Sequence, residues 1–211
     1  QVLTYDKAEN LTTLGTGVKI GYTFLGWAFA ANKTKVVDGD GAEVKNLVTG
    51  KTNDKEITLY AVFEVNKYTL TFDANGGNVT PTSVEVAYGA TYTSLPTPSR
   101  ANYTFQGWFT DAEDGTKVTS VVMDDVNGKT IYAHWRGNEY TVTLDHNDNK
   151  DASLTTKTTI TVYYQETYAG LETITREGYK FLGWFTDKTG GLEVKSTDTV
   201  TTTGNHTLYA H

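Results

Sequence analysis

One phrase is spelled three times along this chain, and nothing else in the sequence constrains the fold as much. It reads GYTFLGWAFA over Gly21 to Ala30, NYTFQGWFTD over Asn102 to Asp111, and GYKFLGWFTD over Gly178 to Asp187. Trp27, Trp108 and Trp184 mark the copies, 81 and 76 residues apart. A second phrase follows each one: LYAVF (Leu59 to Phe63), IYAHW (Ile131 to Trp135) and LYAH (Leu208 to His211). The interval from the tryptophan to the tyrosine of this phrase is 33, 24 and 25 residues, so copy 1 carries an insertion, within Ala31 to Glu56. Self-similarity at a fixed period means tandem structural units, not one large core.

Two further phrases complete the unit. KYTLTFDANGGN (Lys67 to Asn78) matches EYTVTLDHNDNK (Glu139 to Lys150), and SVEVAYGATYTSL (Ser83 to Leu95) matches TITVYYQETYAGL (Thr159 to Leu171). The opening QVLTYDKAENL resembles only the last of these phrases. Copy 1 therefore enters one strand late, and copy 3 stops at LYAH where copy 2 runs on to Trp135. Both features read as cuts through a longer array. Three modules are expected, over 1–66, 67–138 and 139–211, with an insertion after the Trp motif of the first.

Each unit reads as strand, strand, motif strand, variable segment, closing strand. YTLTF and YTVTL alternate with the two-residue rhythm of a half-buried strand. DANGGN supplies turn residues that accept positive φ. Pro96 and Pro98 punctuate SLPTPSRAN, which is expected to be a short helix or an irregular loop. A helical turn is also open over Thr119 to Thr130. The 14 tyrosines and the many threonines favour strands over helices. The fold class expected is mainly β with an α+β option, as three small modules in an elongated array. From the compact-domain size rule each module is roughly 25–30 Å across, so three in line reach about 80–90 Å.

The motif strand poses a local problem. Tyr103, Phe105, Gly107 and Phe109 fall on one face of an extended strand and Trp108 on the other. Either both faces are covered, or the glycine sits in a bulge that returns the tryptophan to the inner face. Gly26, Gly107 and Gly183 precede all three tryptophans, which indicates a backbone demand. A unit of roughly 70 residues has a barely sufficient core, and there are no cysteines to staple it. The aromatics of the motif strand and the closing-strand tyrosine are expected to supply the burial. The competing use of these tryptophans is as exposed platforms that stack on sugars.

These phrases together resemble the Listeria–Bacteroides repeat, the B-repeat type of internalins and other exported bacterial proteins. The residues that carry the resemblance are Tyr68 to Asp73, Asn75 to Gly77, Tyr103 to Asp111 and Ile131 to Trp135 in copy 2, and Gly178 to Asp187 in copy 3. Copy 3 has HNDNKD where the turn glycines should stand, and copy 1 has Ala28 and Ala30 in place of Phe and Thr. The resemblance implies β-grasp-like modules, set in series between a ligand-binding head and a wall attachment. It implies an extracellular, cell-surface location and no catalysis.

Sites for chemistry are sparse. With a net charge of −7 and no basic cluster, nucleic acid is excluded as a partner. No apolar run approaches the roughly 18 residues that span a bilayer, so membrane insertion is not expected. The four histidines, His134, His146, His206 and His211, lack metal-ligand spacing, and His134 and His211 read as equivalent strand-surface positions. Asp145, Asn147 and Asn149 have the 1-3-5 spacing of a calcium loop, but Lys150 and Thr156 stand where glycine and glutamate are required. Asp124 and Asp125 are adjacent and would diverge on a strand. DGDG (Asp38 to Gly41) is too short for a phosphate loop, and LPTP (Leu95 to Pro98) is not a complete sorting signal. Lys–Asn isopeptide bonds have no diagnostic pattern here. The reading has no catalytic residue, no cofactor and no metal.

The function expected is that of a monomeric, non-catalytic stalk that holds a binding head away from the cell wall. The short junctions VNKY (Val65 to Tyr68) and RGNEY (Arg136 to Tyr140) should restrict bending between modules. Two alternatives stand beside it: an adhesive surface for a host protein or a glycan, and an accessory module of a larger secreted enzyme.

Overall fold

The computed structural model describes residues 16–28, 35–38, 60–148 and 156–211, with the backbone alone described over 35–38. Most of copy 1's insertion lies outside them, as do Asn149 and Lys150. Among the described residues there are fifteen strands and no helix. They are β1 (Tyr22–Ala28), β2 (Lys35–Asp38), β3 (Tyr60–Val65), β4 (Lys67–Asp73), β5 (Ser83–Ala87), β6 (Thr91–Tyr92), β7 (Tyr103–Phe109) and β8 (Lys117–Val118). Then come β9 (Val121–Val122), β10 (Lys129–Gly137), β11 (Glu139–Asp145), β12 (Lys157–Tyr163), β13 (Trp184–Phe185), β14 (Glu193–Val194) and β15 (His206–Ala210).

The chain groups into two compact units: 1–71 with 81–95 and 119–130, and 72–80 with 96–118 and 131–211. In the first, β2-β1-β3 form a three-stranded antiparallel sheet, β4 begins its hairpin with β5, and β6 pairs with β9. In the second, β10 pairs with β7 and β7 with β8, and the last five strands form the sheet β12-β11-β15-β13-β14. The middle repeat has a five-stranded sheet of order β5-β4-β10-β7-β8. Numbered in chain order within each sheet, both five-stranded sheets have the order 2-1-5-3-4. In the third repeat the central pair, β11 and β15, is parallel, with Val142 opposite His206 and Leu144 opposite Leu208.

The bulge reading of the motif strand holds. Along β7 and β10 the pairs run Trp108↔Ala133, Gly107↔His134, then Phe105↔Trp135, which leaves Gln106 without a partner residue. The same shift falls between Phe24 and Gly26 where β1 meets β3. The glycines adopt φ of 142°, 133° and 140° at Gly26, Gly107 and Gly183, a region that a side chain makes costly. The extra residue turns the tryptophan inward beside the phenylalanine three positions earlier. Phe24–Trp27, Phe105–Trp108 and Phe181–Trp184 are all edge-to-face, at 5.6, 5.7 and 5.7 Å.

Trp108 and Trp184 are each only 3% exposed, so they are core and not sugar platforms. Their indole N–H groups donate to the carbonyls of Pro96 (2.8 Å) and Glu172 (2.9 Å), each twelve residues earlier. Trp27 is half-buried, and its Nε1 has no partner among the described residues. Around Trp184 pack Val142, Leu144, Val162, Tyr168, Val200, Leu208 and Ala210. In the middle repeat the matching positions Leu70, Phe72, Val86, Met123, Ile131 and Ala133 are buried too.

Two expectations need correction. Thr119 to Thr130 holds β9 and a turn in place of a helical turn. Its paired valines suit a strand, and the Asp125 carboxylate accepts the Asn127 N–H at 2.9 Å, a side-chain turn that competes with helix. The closing-phrase tyrosine is not a main source of burial either. Ile131 and Ala133, like Leu208 and Ala210, point inward, so the two-residue period puts Tyr132 and Tyr209 on the other face. Tyr60 is 46% exposed.

Candidate functional site at the joints between repeats

The polar residues singled out by sequence are absorbed by structure. His134 stacks on Phe109 at 3.9 Å and its Nε2–H donates to the Asp111 carbonyl at 2.8 Å. His211 does the same with Phe185 (4.0 Å) and Asp187 (2.8 Å). These are half-buried pins, more engaged than strand-surface positions. His206 donates from Nδ1 to the Gly204 carbonyl, leaving Nε2 to accept from the Tyr168 hydroxyl, both at 3.0 Å. His146 lies 6.0 Å from the Trp184 ring. No group of metal-holding side chains occurs among the described residues.

The Asp145 and Asn147 pair is a turn device. Asp145, 2% exposed, accepts the Asn147 N–H at 2.9 Å, and Asn147 sits at φ 51° with its amide donating to the Lys188 and Ala210 carbonyls. Asp73 and Asn75 repeat this turn, with the Asn75 amide on the Ala112 carbonyl. Asp124 pairs with Lys129, whose ammonium holds its carboxyl below the usual range, by hydrogen bond first and charge second.

What the structure does assemble lies at the junctions. Only Asn66 separates β3 from β4, and only Asn138 separates β10 from β11. Asn66 donates its N–H to the Gly21 carbonyl, and its own carbonyl accepts the Tyr88 N–H, both at 2.9 Å. Its side-chain oxygen accepts from Thr23 Oγ1 at 2.6 Å. Asn138 repeats the arrangement: N–H to Asn102 at 2.9 Å, carbonyl from Tyr164 at 3.0 Å, side chain from Thr104 Oγ1 at 2.9 Å. One residue thus bridges the motif strand of the preceding repeat to the second strand of the following one.

An aromatic pair closes each joint. Tyr22 meets Tyr88 edge-on at 6.3 Å, and Tyr103 meets Tyr164 at 5.5 Å. A cation three residues before the motif tyrosine sits over its ring: Lys19 over Tyr22 at 3.6 Å and Arg100 over Tyr103 at 3.9 Å. The backbones approach so closely that a Cβ on Gly21 would enter the Tyr88 ring, and one on Gly137 would strike the Tyr164 carbonyl. Around the second joint Arg136 lies 3.7 Å over the Tyr163 ring. The Tyr163 hydroxyl donates to Glu139 at 3.0 Å, which pushes its phenol above the usual range.

Comparison with known proteins agrees with the repeat architecture. The Listeria-Bacteroides repeat domain matches residues 1–62, 68–134 and 140–211. A putative Gly-rich membrane protein of Evansella cellulosilytica is 32% identical over 215 residues, covering all of this chain and 23% of that protein. Internalin H of Listeria monocytogenes is 34% identical over 147 residues, covering 68% of this chain and 24% of that protein. The chain spans about a quarter of the length of these relatives. Three Trp-centred units joined through single asparagines, each matched by the same repeat, place this chain in the Listeria-Bacteroides repeat family, of the internalin-like type found in bacterial surface proteins.

Proposed function

We propose that the repeats form a stiff, non-catalytic spacer on the outside of a bacterial cell, and that binding to a host protein or glycan is done by other parts of the parent protein. The observation that carries this reading is the one-residue link whose N–H and C=O are both bonded, one to each neighbouring repeat. A flexible linker leaves its backbone groups to water and samples many angles. Here the two backbone bonds, the threonine bond and the tyrosine pair fix the angle between repeats. On this reading the modules are β-grasp-like sheets in which an irregular connection, residues 164–183 in the third repeat, stands where a helix would cross.

Backbone 15N relaxation tests the proposal. Asn66 and Asn138 should be as ordered as the strands beside them, and neighbouring repeats should tumble together. Asn138→Pro removes the N–H that Asn102 accepts and should free the middle and last repeats to tumble separately. Independent tumbling in the unaltered chain would refute the spacer. Specific binding of a host protein or glycan to the isolated repeats would favour the adhesive reading instead.

A further inference from the structure

The first and last strands of the third repeat lie side by side and run the same way. β11 and β15 pair in parallel, with Val142↔His206, Thr143↔Thr207, Leu144↔Leu208 and Asp145↔Tyr209. β11 follows directly on the Asn138 joint. The chain therefore leaves this pair in opposite directions, at Glu139 on one side and at Ala210 on the other. A pull between those two points slides β11 past β15 and does not peel the strands apart.

Sliding loads all the bonds of the pair together, because the bonds of a parallel ladder are evenly spaced along the strands. Peeling loads them one after another. Both strands are interior to their sheet. β11 is held to β12 from Glu139 to Asp145, and β15 is held to β13 through Trp184↔Ala210 and Phe185↔Tyr209. Val142, Leu144, Leu208 and Ala210 belong to the buried cluster around Trp184, so water is kept from that face of the pair. Asparagine side chains fasten both ends. The Asn205 side chain accepts the Thr141 N–H at 2.9 Å just before the first pair, and the Asn147 amide donates to the Ala210 carbonyl at 3.2 Å just past the last.

We propose that the β11–β15 pair, closed at its ends by Asn205 and Asn147, is a shear clamp with which the third repeat resists tension along the chain. Resistance to force is set by the barrier to unfolding, not by the equilibrium between folded and unfolded states. The clamp raises that barrier in one direction of pull only. That tension runs along the chain rests on the spacer reading. The dependence on direction belongs to one repeat and does not, so the two can fail separately.

Optical tweezers on the full 211-residue chain test this. The chain has no cysteine, so handles can be placed at exposed threonines. Thr141→Cys with a cysteine appended after His211 loads the pair in shear. Thr141→Cys with Thr203→Cys pulls at the neighbouring N-terminal ends of β11 and β15 and peels them. At one loading rate the shear direction should unfold the third repeat at a force about two- to fourfold higher, because four residue pairs share the load. Asn205→Ala should lower the shear force and leave the peeling force, since peeling frees Asn205 before any backbone pair is loaded. Equal forces in the two directions would overturn the proposal. So would a loss of equal proportion in both on Asn205→Ala, which would make that asparagine a support that carries no load.

Discussion

The two joints use one plan with different accessories. Both pass through a single asparagine that bonds the repeat on each side, and both set two tyrosines edge-on. At the first, Tyr68 joins the ring contact at 6.0 Å from Tyr88, and the Asn66 amide reaches the Tyr68 hydroxyl at 3.4 Å. At the second, the support comes from charge: Arg136 over Tyr163, and Tyr163 bonded to Glu139. The position before the motif tyrosine is Gly21 in one and Asn102 in the other, at φ 77° and 65°. The shared part is backbone, and the variable part is side chain. Geometry is therefore held by groups that every residue has, while sequence is free to drift around them.

That comparison can be broken most forcefully through the core. Trp108→Ala and Trp184→Ala should each cost about 3–5 kcal/mol, as buried aromatic truncations do. If the joint couples its neighbours in the manner of repeat proteins, hydrogen exchange should quicken in the adjoining repeat as well. A loss confined to the mutated repeat would show that the joint transmits nothing. Next in size are Gly21→Ala and Gly137→Ala. The first meets the Tyr88 ring and holds φ at 77°, a strain worth about 1–3 kcal/mol. The second must push the Tyr164 carbonyl aside. Each should loosen its own joint alone, as seen by loss of exchange protection at Tyr88 or Tyr164.

Smaller effects should separate the two designs. Asn66→Ala and Asn138→Ala keep the backbone bonds and lose the threonine contact, each worth about 0.5–1.5 kcal/mol or less at these half-exposed sites. Equilibrium unfolding would measure both, and the Asn66 change should cost more because it also strips the contact to Tyr68. The smallest difference is in pH. Tyr163 has its phenol raised by donation to Glu139. Its bond therefore favours the fold fully below the ordinary value of about 10 and is lost as pH rises through the higher folded value. The second joint should loosen in that alkaline window, Tyr163→Phe should abolish the change, and the first joint should not share it.

Much of this was legible in the sequence. Three recurring phrases gave the repeats, and glycine before each tryptophan pointed to a backbone demand, of which the bulge was one of the readings left open. The closing tyrosines were misjudged because a strand's two-residue period, counted from Ile131 and Leu208, sends them outward. The junctions were located by their shortness, but their construction was not. Backbone bonds leave no residue signature, and Tyr88 and Tyr164 lie about 22 to 26 residues from the asparagines they bond. One signal was available: Asn-x-Tyr recurs at Asn66 and Asn138, just where one repeat passes into the next.

The central claim is that a single bonded asparagine fixes the angle between repeats. The chain has no cysteine of its own, so two can be placed at will, one on the exposed face of the middle repeat and one on the third, and spin-labelled. Pulsed electron resonance should return one narrow distance distribution that broadens in Asn138→Pro. A broad distribution in the unaltered chain, unchanged by that substitution, would contradict the account.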